Sequence, residues 1–250
     1  MLLAHITDLH IGQTNENTYG VDVRHNFLMI LGELKSLDPD YIIITGDLCY
    51  EHGDLEIYTW IKSKMDKLEI PYLVIPGNHD DCAMMREVFE IDYTQEENEI
   101  FFAKRLGKHR ALFLDSSKAS MSDIQLKWLK RQLYQSADEH LLIFTHYPPL
   151  KADVGFMDLK HSYKDPTELL EILSEYPSNI YLFCGHYHTD RKISLSKIHV
   201  QISPAIICQI DPYSKDFKIE NYRAGYRMIT VKKESLITSL HYIDGKMLSA

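Results

Sequence analysis

No apolar run in the 250-residue chain reaches the length of about 18 residues that a helix needs to cross a bilayer, so no membrane-spanning helix is expected. The opening stretch, MLLAHITDLHIG, has neither a basic lead-in nor a small-residue cleavage site, and Asp8 interrupts it; a secretory signal is not expected. Cysteine is scarce. Cys49, Cys82, Cys184 and Cys208 form no C-x-x-C pair, which argues against a structural zinc site or a disulfide frame and for reduced thiols in a cytoplasm. Positive charge is also in deficit, with 27 Lys and Arg against 36 Asp and Glu and a net charge of −9. A broad footprint on long nucleic acid is therefore not expected, because such binding rests on many basic contacts to phosphate. A small anionic substrate still fits if local positive charge, such as metal ions, offsets the acidity. No internal repeat, low-complexity tract or long Pro/Gly/Ser linker marks a boundary. One domain over residues 1–250 is expected, with a strand-rich part from about residue 192.

What is present is a rhythm of short apolar runs and amphipathic stretches. LLAHITDL (2–9), YIIITGDL (41–48), YLVIPGN (72–78), ALFLDS (111–116), LLIFTHYP (141–148) and IYLFCGHYH (180–188) suit strands buried on both faces. Between them, residues 22–37 place Val23, Phe27, Ile30, Leu31, Leu34 and Leu37 at helical spacing, and 54–69 does the same with Ile57, Trp60, Ile61, Met65 and Leu68. SDIQ (122–125) reads as a capping box, and DPTE (165–168) as an N-cap Asp followed by Pro at the first helical position. The segments 192–205, 225–233 and 235–244 read as strands with little helix. Alternating β and α followed by a strand-rich tail predicts an α/β fold with two packed sheets.

The informative feature is how the apolar runs end. They finish on Asp8 and His10, on Gly46-Asp47, on Gly77-Asn78-His79-Asp80, on His146, and on His186 and His188. Each ending taken alone has a plain structural reading: Asp8 could cap a helix, Asp47 and Asn78 could sit in glycine turns, and His146 could start a proline turn. Five such endings are harder to assign to turns, because ligands in α/β sheets gather at the carboxyl ends of strands. In an extended strand, His186 and His188 would share a face. Carboxylate, imidazole and amide oxygen without thiolate suit Mn²⁺, Fe or Zn²⁺. Asp8, His10, Asp47, Asn78, His146, His186 and His188 make seven ligands, enough for two metals if Asp47 bridges.

These residues carry a resemblance. In order, the chain shows DLH, GD, GNHD, the His of THYPP, and GHYH, and so resembles the calcineurin-like metallophosphoesterases over residues 8–188. The resemblance implies an α/β, four-layer α-β-β-α sandwich of two mixed β-sheets flanked by helices. It implies one metal on Asp8, His10, Asp47 and His188, and a second on Asp47, Asn78, His146 and His186. The ions would be Mn²⁺ and/or Fe²⁺/Fe³⁺, with Zn²⁺ an alternative. His79 would face the substrate and help the leaving oxygen depart, and Asp80 would either orient that imidazole or cap a helix.

Within the family the chain is most similar to the class III cyclic nucleotide phosphodiesterases, on the segments 114–133, 202–212 and 224–231. One departure is Tyr147, where that group often carries a second His. The resemblance implies hydrolysis of small phosphodiesters by a hydroxide shared between the metals, with 3′,5′-cyclic AMP giving 5′-AMP as the leading case. Glycerophosphodiesters, nucleoside polyphosphates and phosphomonoesters are the alternatives. A non-catalytic scaffold on the same fold, like the retromer subunit, typically replaces the G-N-H histidine, which is kept here as His79. A nuclease is disfavoured by the acidic balance. A homodimer is expected by family analogy only. The basic and aromatic residues of 191–233, among them Lys215, Phe217, Lys218 and Arg227, read as a solvated face in preference to a substrate-contacting loop at 209–224.

Overall fold

The computed structural model describes residues 1–92, 98–134, 140–233 and 235–248. In chain order its elements begin β1 (Leu2–Ile6), α1 (Val23–Leu37), β2 (Tyr41–Ile44), α2 (Leu55–Asp66), β3 (Tyr72–Val74) and α3 (Cys82–Val88). There follow β4 (Phe102–Leu106), β5 (His109–Phe113), α4 (Asp123–Tyr134), β6 (Leu141–Phe144), α5 (Gly155–Lys160), α6 (Thr167–Ser174) and β7 (Ile180–Cys184). The last third holds β8 (Arg191–Leu195), β9 (Ile198–Ile202), β10 (Gln209–Ile210), β11 (Ile219–Asn221), β12 (Ala224–Val231) and β13 (Leu236–Ile243).

Two mixed sheets dominate. One has the order β13-β12-β1-β2-β3 and the other β4-β5-β6-β7-β9-β8. In the first, β1, β2 and β3 are parallel; in the second, β5, β6, β7 and β9 are parallel. Side-chain alternation along β6 explains the layering. Leu142 and Phe144 join the core between the sheets, whereas Leu141 and Ile143 pack with Trp128 and Leu129 of α4 and with Leu169 of α6. Between the sheets, Phe102, Phe113, Phe144 and Phe183 stack in sequence, with ring centroids 4.5, 5.2 and 5.4 Å apart. Helices outside both sheets complete a four-layer α-β-β-α sandwich, as the resemblance implied.

The strand-rich tail splits between the sheets. β8 and β9 extend the second sheet, and β12 crosses to pair with β1, from Leu2 opposite Thr230 to His5 opposite Arg227. That pairing buries Arg227 completely, against the expectation of a solvated basic face. Its guanidinium bonds Asp190 at 2.7 Å, Ser203 at 3.0 Å and Gln201 at 3.1 Å, so the buried charge is paired. The helix starts also differ from expectation. Ser122 Oγ accepts from the Gln125 N–H, but the Gln125 side chain brackets the backbone of Asp115 and does not close a capping box. Pro166, not Asp165, is the N-cap of α6; the Asp165 carboxylate accepts from the Thr167 N–H instead. Leu37, expected in the core stripe of α1, is exposed.

Candidate metal centre

Every parallel strand of the first sheet and the pair β6 and β7 of the second point their carboxyl ends at one place. There the apolar runs stop earlier than the sequence suggests. β1 ends at Ile6 and β7 at Cys184, so the strand alternation expected for Asp8/His10 and His186/His188 does not apply. Instead Asp8, His10, Asp47, His186 and His188 all lie at left-handed φ, between 46° and 68°. Such backbone costs free energy in a non-glycine residue and persists only where surrounding bonds over-determine it. Those bonds are present: Asp8 N–H donates to Gly46 O (3.0 Å), His10 N–H to Asp47 O (2.9 Å) and Gly185 N–H to His146 O (3.0 Å). The His186 N–H donates to both Asp8 carboxylate oxygens at 3.0 Å. The turns aim successive side chains at a common point.

The side chains form two groups that share Asp47. One comprises Asp8, His10, Asp47 and His188; the other Asp47, His146 and His186; within each group the donor atoms lie within 4.8 Å of one another. Nε2 of His10 stands 3.1 Å from Nε2 of His188 and 3.5 Å from Asp47 Oδ2. His188 Nε2 is 3.3 Å from Asp8 Oδ1, and His146 Nε2 is 3.3 Å from Asp47 Oδ2 and 3.2 Å from Asn78 Oδ1. Ligands about 2.0–2.1 Å from a common ion sit roughly 3.0–3.4 Å from each other, so these spacings fit cation coordination. The seven residues expected as ligands are brought together.

Electrostatics agree with the donor set. Burial pulls the His188 imidazole down, but Asp8 beside it prevails and raises it to about 10. Burial likewise opposes protonation of His146, and Asp47 raises it to about 9. His10 is held down at about 4 and His186 at about 3, chiefly by burial. Burial alone would raise Asp8 and Asp47; the histidines facing them keep both carboxyls well below the usual range. In each group an imidazole facing the carboxylate thus favours its ionised form, the compensation a bound cation would supply.

Hydrogen bonds to the far side of each imidazole set its orientation. His146 Nδ1 donates to Thr45 O at 2.7 Å, and His186 Nε2 to His161 O at 2.9 Å, leaving the other ring nitrogen for the centre. His161 follows α5 in a polar stretch, and no sequence signal singled it out. Tyr147 stacks on His186 with centroids 3.7 Å apart, so the departure noted in the sequence supplies a buried packing wall.

His79 is outside both groups. Its Nδ1 lies 3.0 Å from Glu51 O and its Nε2 4.0 Å from Asp47 Oδ2, with the ring partly exposed. Asp80 neither orients that ring nor caps a helix. It accepts from the N–H groups of Leu48, Cys49 and Gly77 and from the Tyr58 hydroxyl, while Asp81 caps α3. Burial and Asp47 push Asp80 up to about 6 against those donors. The site opens into a cleft of about 440 Å³ that also exposes Tyr19, Tyr50, Phe156 and Phe217. None of the described residues that line the cleft is Lys or Arg.

Comparison with known proteins agrees with this picture. Residues 1–190 match the calcineurin-like phosphoesterase family. A probable cyclic nucleotide phosphodiesterase of Fibrobacter succinogenes is 29% identical over 240 residues, covering 96% of this chain and 93% of that protein. A probable glycerophosphodiester phosphodiesterase GpdQ of Arcobacter nitrofigilis is 32% identical, covering 88% and 84%. In fold, a dimetal phosphatase from Danio rerio superposes with a TM-score of 0.67 at 12% identity, over 95% of this chain and 98% of that one.

Proposed function

The chain belongs to the calcineurin-like phosphoesterase family and is a metal-dependent phosphoester hydrolase with a dinuclear centre, and from that premise we propose that it cleaves small monoanionic phosphodiesters, 3′,5′-cyclic nucleotides first among them. The observation that carries the proposal is the pair of donor groups sharing Asp47, with His79 beside them. In this reading Asp8, His10, Asp47 and His188 hold one ion, and Asp47, Asn78, His146 and His186 the other. The oxygen and imidazole donors support Mn²⁺ and/or iron, with Zn²⁺ the alternative. Bound there, such ions would supply Lewis acidity toward phosphate oxygens and a water acidified for attack.

The remaining chemistry is the chain's own. The Glu51 carbonyl accepts from Nδ1–H of His79 and so turns Nε2 toward the cleft. The imidazolium form can then give its Nε2 proton to the departing alkoxide, which is a poor leaving group without it. Asp47 Oδ1 accepts the His79 N–H at 2.9 Å and ties that loop to the centre. Charge supports a small diester. Two divalent ions against Asp8 and Asp47 leave a net excess of about two positive charges. A monoanionic diester is accommodated, whereas a polyphosphate would lack the Lys or Arg clamps that such groups use. The relatives named as cyclic nucleotide and glycerophosphodiester phosphodiesterases support the same class. The reading treats residues 1–250 as one domain, since ligands come from both sheets. It sets the protein in the cytoplasm, which four free cysteines support, and takes a homodimer by family analogy.

The test is hydrolysis of bis(p-nitrophenyl) phosphate, then of 3′,5′-cyclic AMP, by protein loaded with Mn²⁺. Turnover of both supports the proposal. Two bound metals per chain without turnover of either would sink it.

A further inference from the structure

The relatives divide between esters of nucleosides and esters of glycerol, and the metal centre does not separate them. Three aromatic side chains from distant segments meet at the rim of the cleft. The Phe217 ring lies 5.6 Å from that of Tyr19, at 34°, and 5.8 Å from that of Phe156. Tyr19 packs edge-on against Tyr50 at 5.8 Å, and Phe156 lies 5.0 Å from the His161 ring. Tyr19 and Phe217 nevertheless remain 46% and 43% exposed, beside His79 and His188 in the same cleft.

The wall is built, not incidental. The loop carrying Phe217 is closed at its base by Asp211 N–H donating to Lys218 O (2.8 Å) and by the Lys218–Asp211 ion pair (2.7 Å). It docks on α5 through Gly155 N–H to Pro212 O and Phe156 N–H to Ser214 O, both 2.8 Å. Gly155 permits that approach, since a Cβ there would lie 2.4 Å from Ser214 O. Tyr19 is held at a left-handed φ of 55°, and the adjacent Gly20 N–H is fixed by Asn17 Oδ1. Large aromatic faces are thus kept part-exposed on ordered backbone next to the reacting centre.

We propose that Tyr19, Phe156 and Phe217 form a stacking subsite for a planar heterocyclic base, and that this subsite selects nucleotide esters over glycerophosphodiesters. The inference rests on the phosphodiesterase reading above and names the recognition element of that site. A flat base covers exposed aromatic surface and gains stacking, while a glycerol unit has no flat face to offer.

Titration calorimetry on the Mn²⁺-loaded protein tests it with 5′-AMP and ribose 5-phosphate, which share the phosphate and ribose and differ in the base. The expected result is at least about tenfold tighter binding of 5′-AMP, with the difference largely lost in Phe217→Ala and reduced in Tyr19→Ala. Phe217→Leu, which keeps apolar bulk without an aromatic face, should lose most of it as well. In hydrolysis, the kcat/KM ratio of cyclic AMP to glycerophosphoethanolamine should fall at least about tenfold in Phe217→Ala. Equal binding of the two ligands by the unaltered protein, or a difference that survives both alanine variants, overturns the subsite. Loss of all phosphodiesterase activity with the binding difference intact would instead strike the functional reading and leave the subsite standing.

Discussion

Gly185 lies so close to Asp8 that a Cβ built on it would stand 2.3 Å from the Asp8 Oδ2 and 2.0 Å from the Thr7 Oγ1. The contact joins the two sheets directly beneath the metal centre, because Gly185 follows β7 and Asp8 follows β1. Gly185→Ala is therefore predicted to force the loops apart at an Asp8 oxygen. The expected cost is on the order of 2–4 kcal/mol, from overpacking and displacement of a buried carboxylate. Denaturant melts of metal-free protein, with metal content measured alongside, check this; an unchanged midpoint would contradict it.

Asp47 contributes to both donor groups, whereas Asn78 Oδ1 lies 3.2 Å from His146 Nε2 of the second. Asp47→Ala should therefore remove both ions, taking occupancy from about two per chain to well below one. Asn78→Ala should weaken only one of them. Elemental analysis after equilibration with Mn²⁺ separates the two outcomes, and equal losses in the two variants would count against the shared carboxylate.

His79 stands outside both donor groups, so its role and that of the ligands can be dissected. His79→Ala is predicted to lower kcat on a phosphodiester by about 10²- to 10⁴-fold, the usual worth of a positioned acid. Metal content should stay as in the unaltered protein. The deficit should shrink for substrates with better leaving groups, such as p-nitrophenyl esters, which need less protonation. A deficit independent of the leaving group would assign His79 to positioning alone.

His5 lies between the sheets, with Nδ1 2.8 Å from Ser203 Oγ and Nε2 2.8 Å from Thr45 Oγ1. Burial and then Arg227 hold it down at about 3, against 6.5 for a free imidazole, so it is neutral when folded. The folded value is the depressed one. Its stabilising contribution is complete above about pH 6.5 and is lost as pH falls toward 3, at up to about 1.4 kcal/mol per unit. His5→Gln, which keeps a polar side chain but does not titrate, should flatten the acid side of the stability profile. Melts between pH 4 and 7 would show about one proton fewer taken up on unfolding than in the unaltered protein; parallel profiles would refute the assignment.

Much of the candidate site was readable from residue types at the ends of apolar runs. Asp8, His10, Asp47, Asn78, His146, His186 and His188 all stand in the short segments where hydrophobic runs give way to polar residues. The reason expected for their convergence was wrong in one respect. Left-handed turns after shortened strands aim Asp8, His10, Asp47, His186 and His188, and such backbone angles leave little trace in composition when no glycine is needed. The role weighed for Asp80 failed for a similar reason. Its acceptors face N–H groups from the loop after β2, a contact set by how β2 and β3 lie side by side.

The sequence by itself determined the α/β alternation, the order of the Asp, Asn and His residues with metal-type donors and the family, because periodicity and residue chemistry are local properties of the chain. Only the tertiary structure decided that the tail divides between two sheets, that Arg227 is buried against Asp190, and that Tyr19, Phe156 and Phe217 share one wall of the cleft. Those three facts rest on contacts between segments far apart in the chain. Such contacts are chosen by the joint burial and hydrogen bonding of the whole fold, which no single stretch of residues encodes.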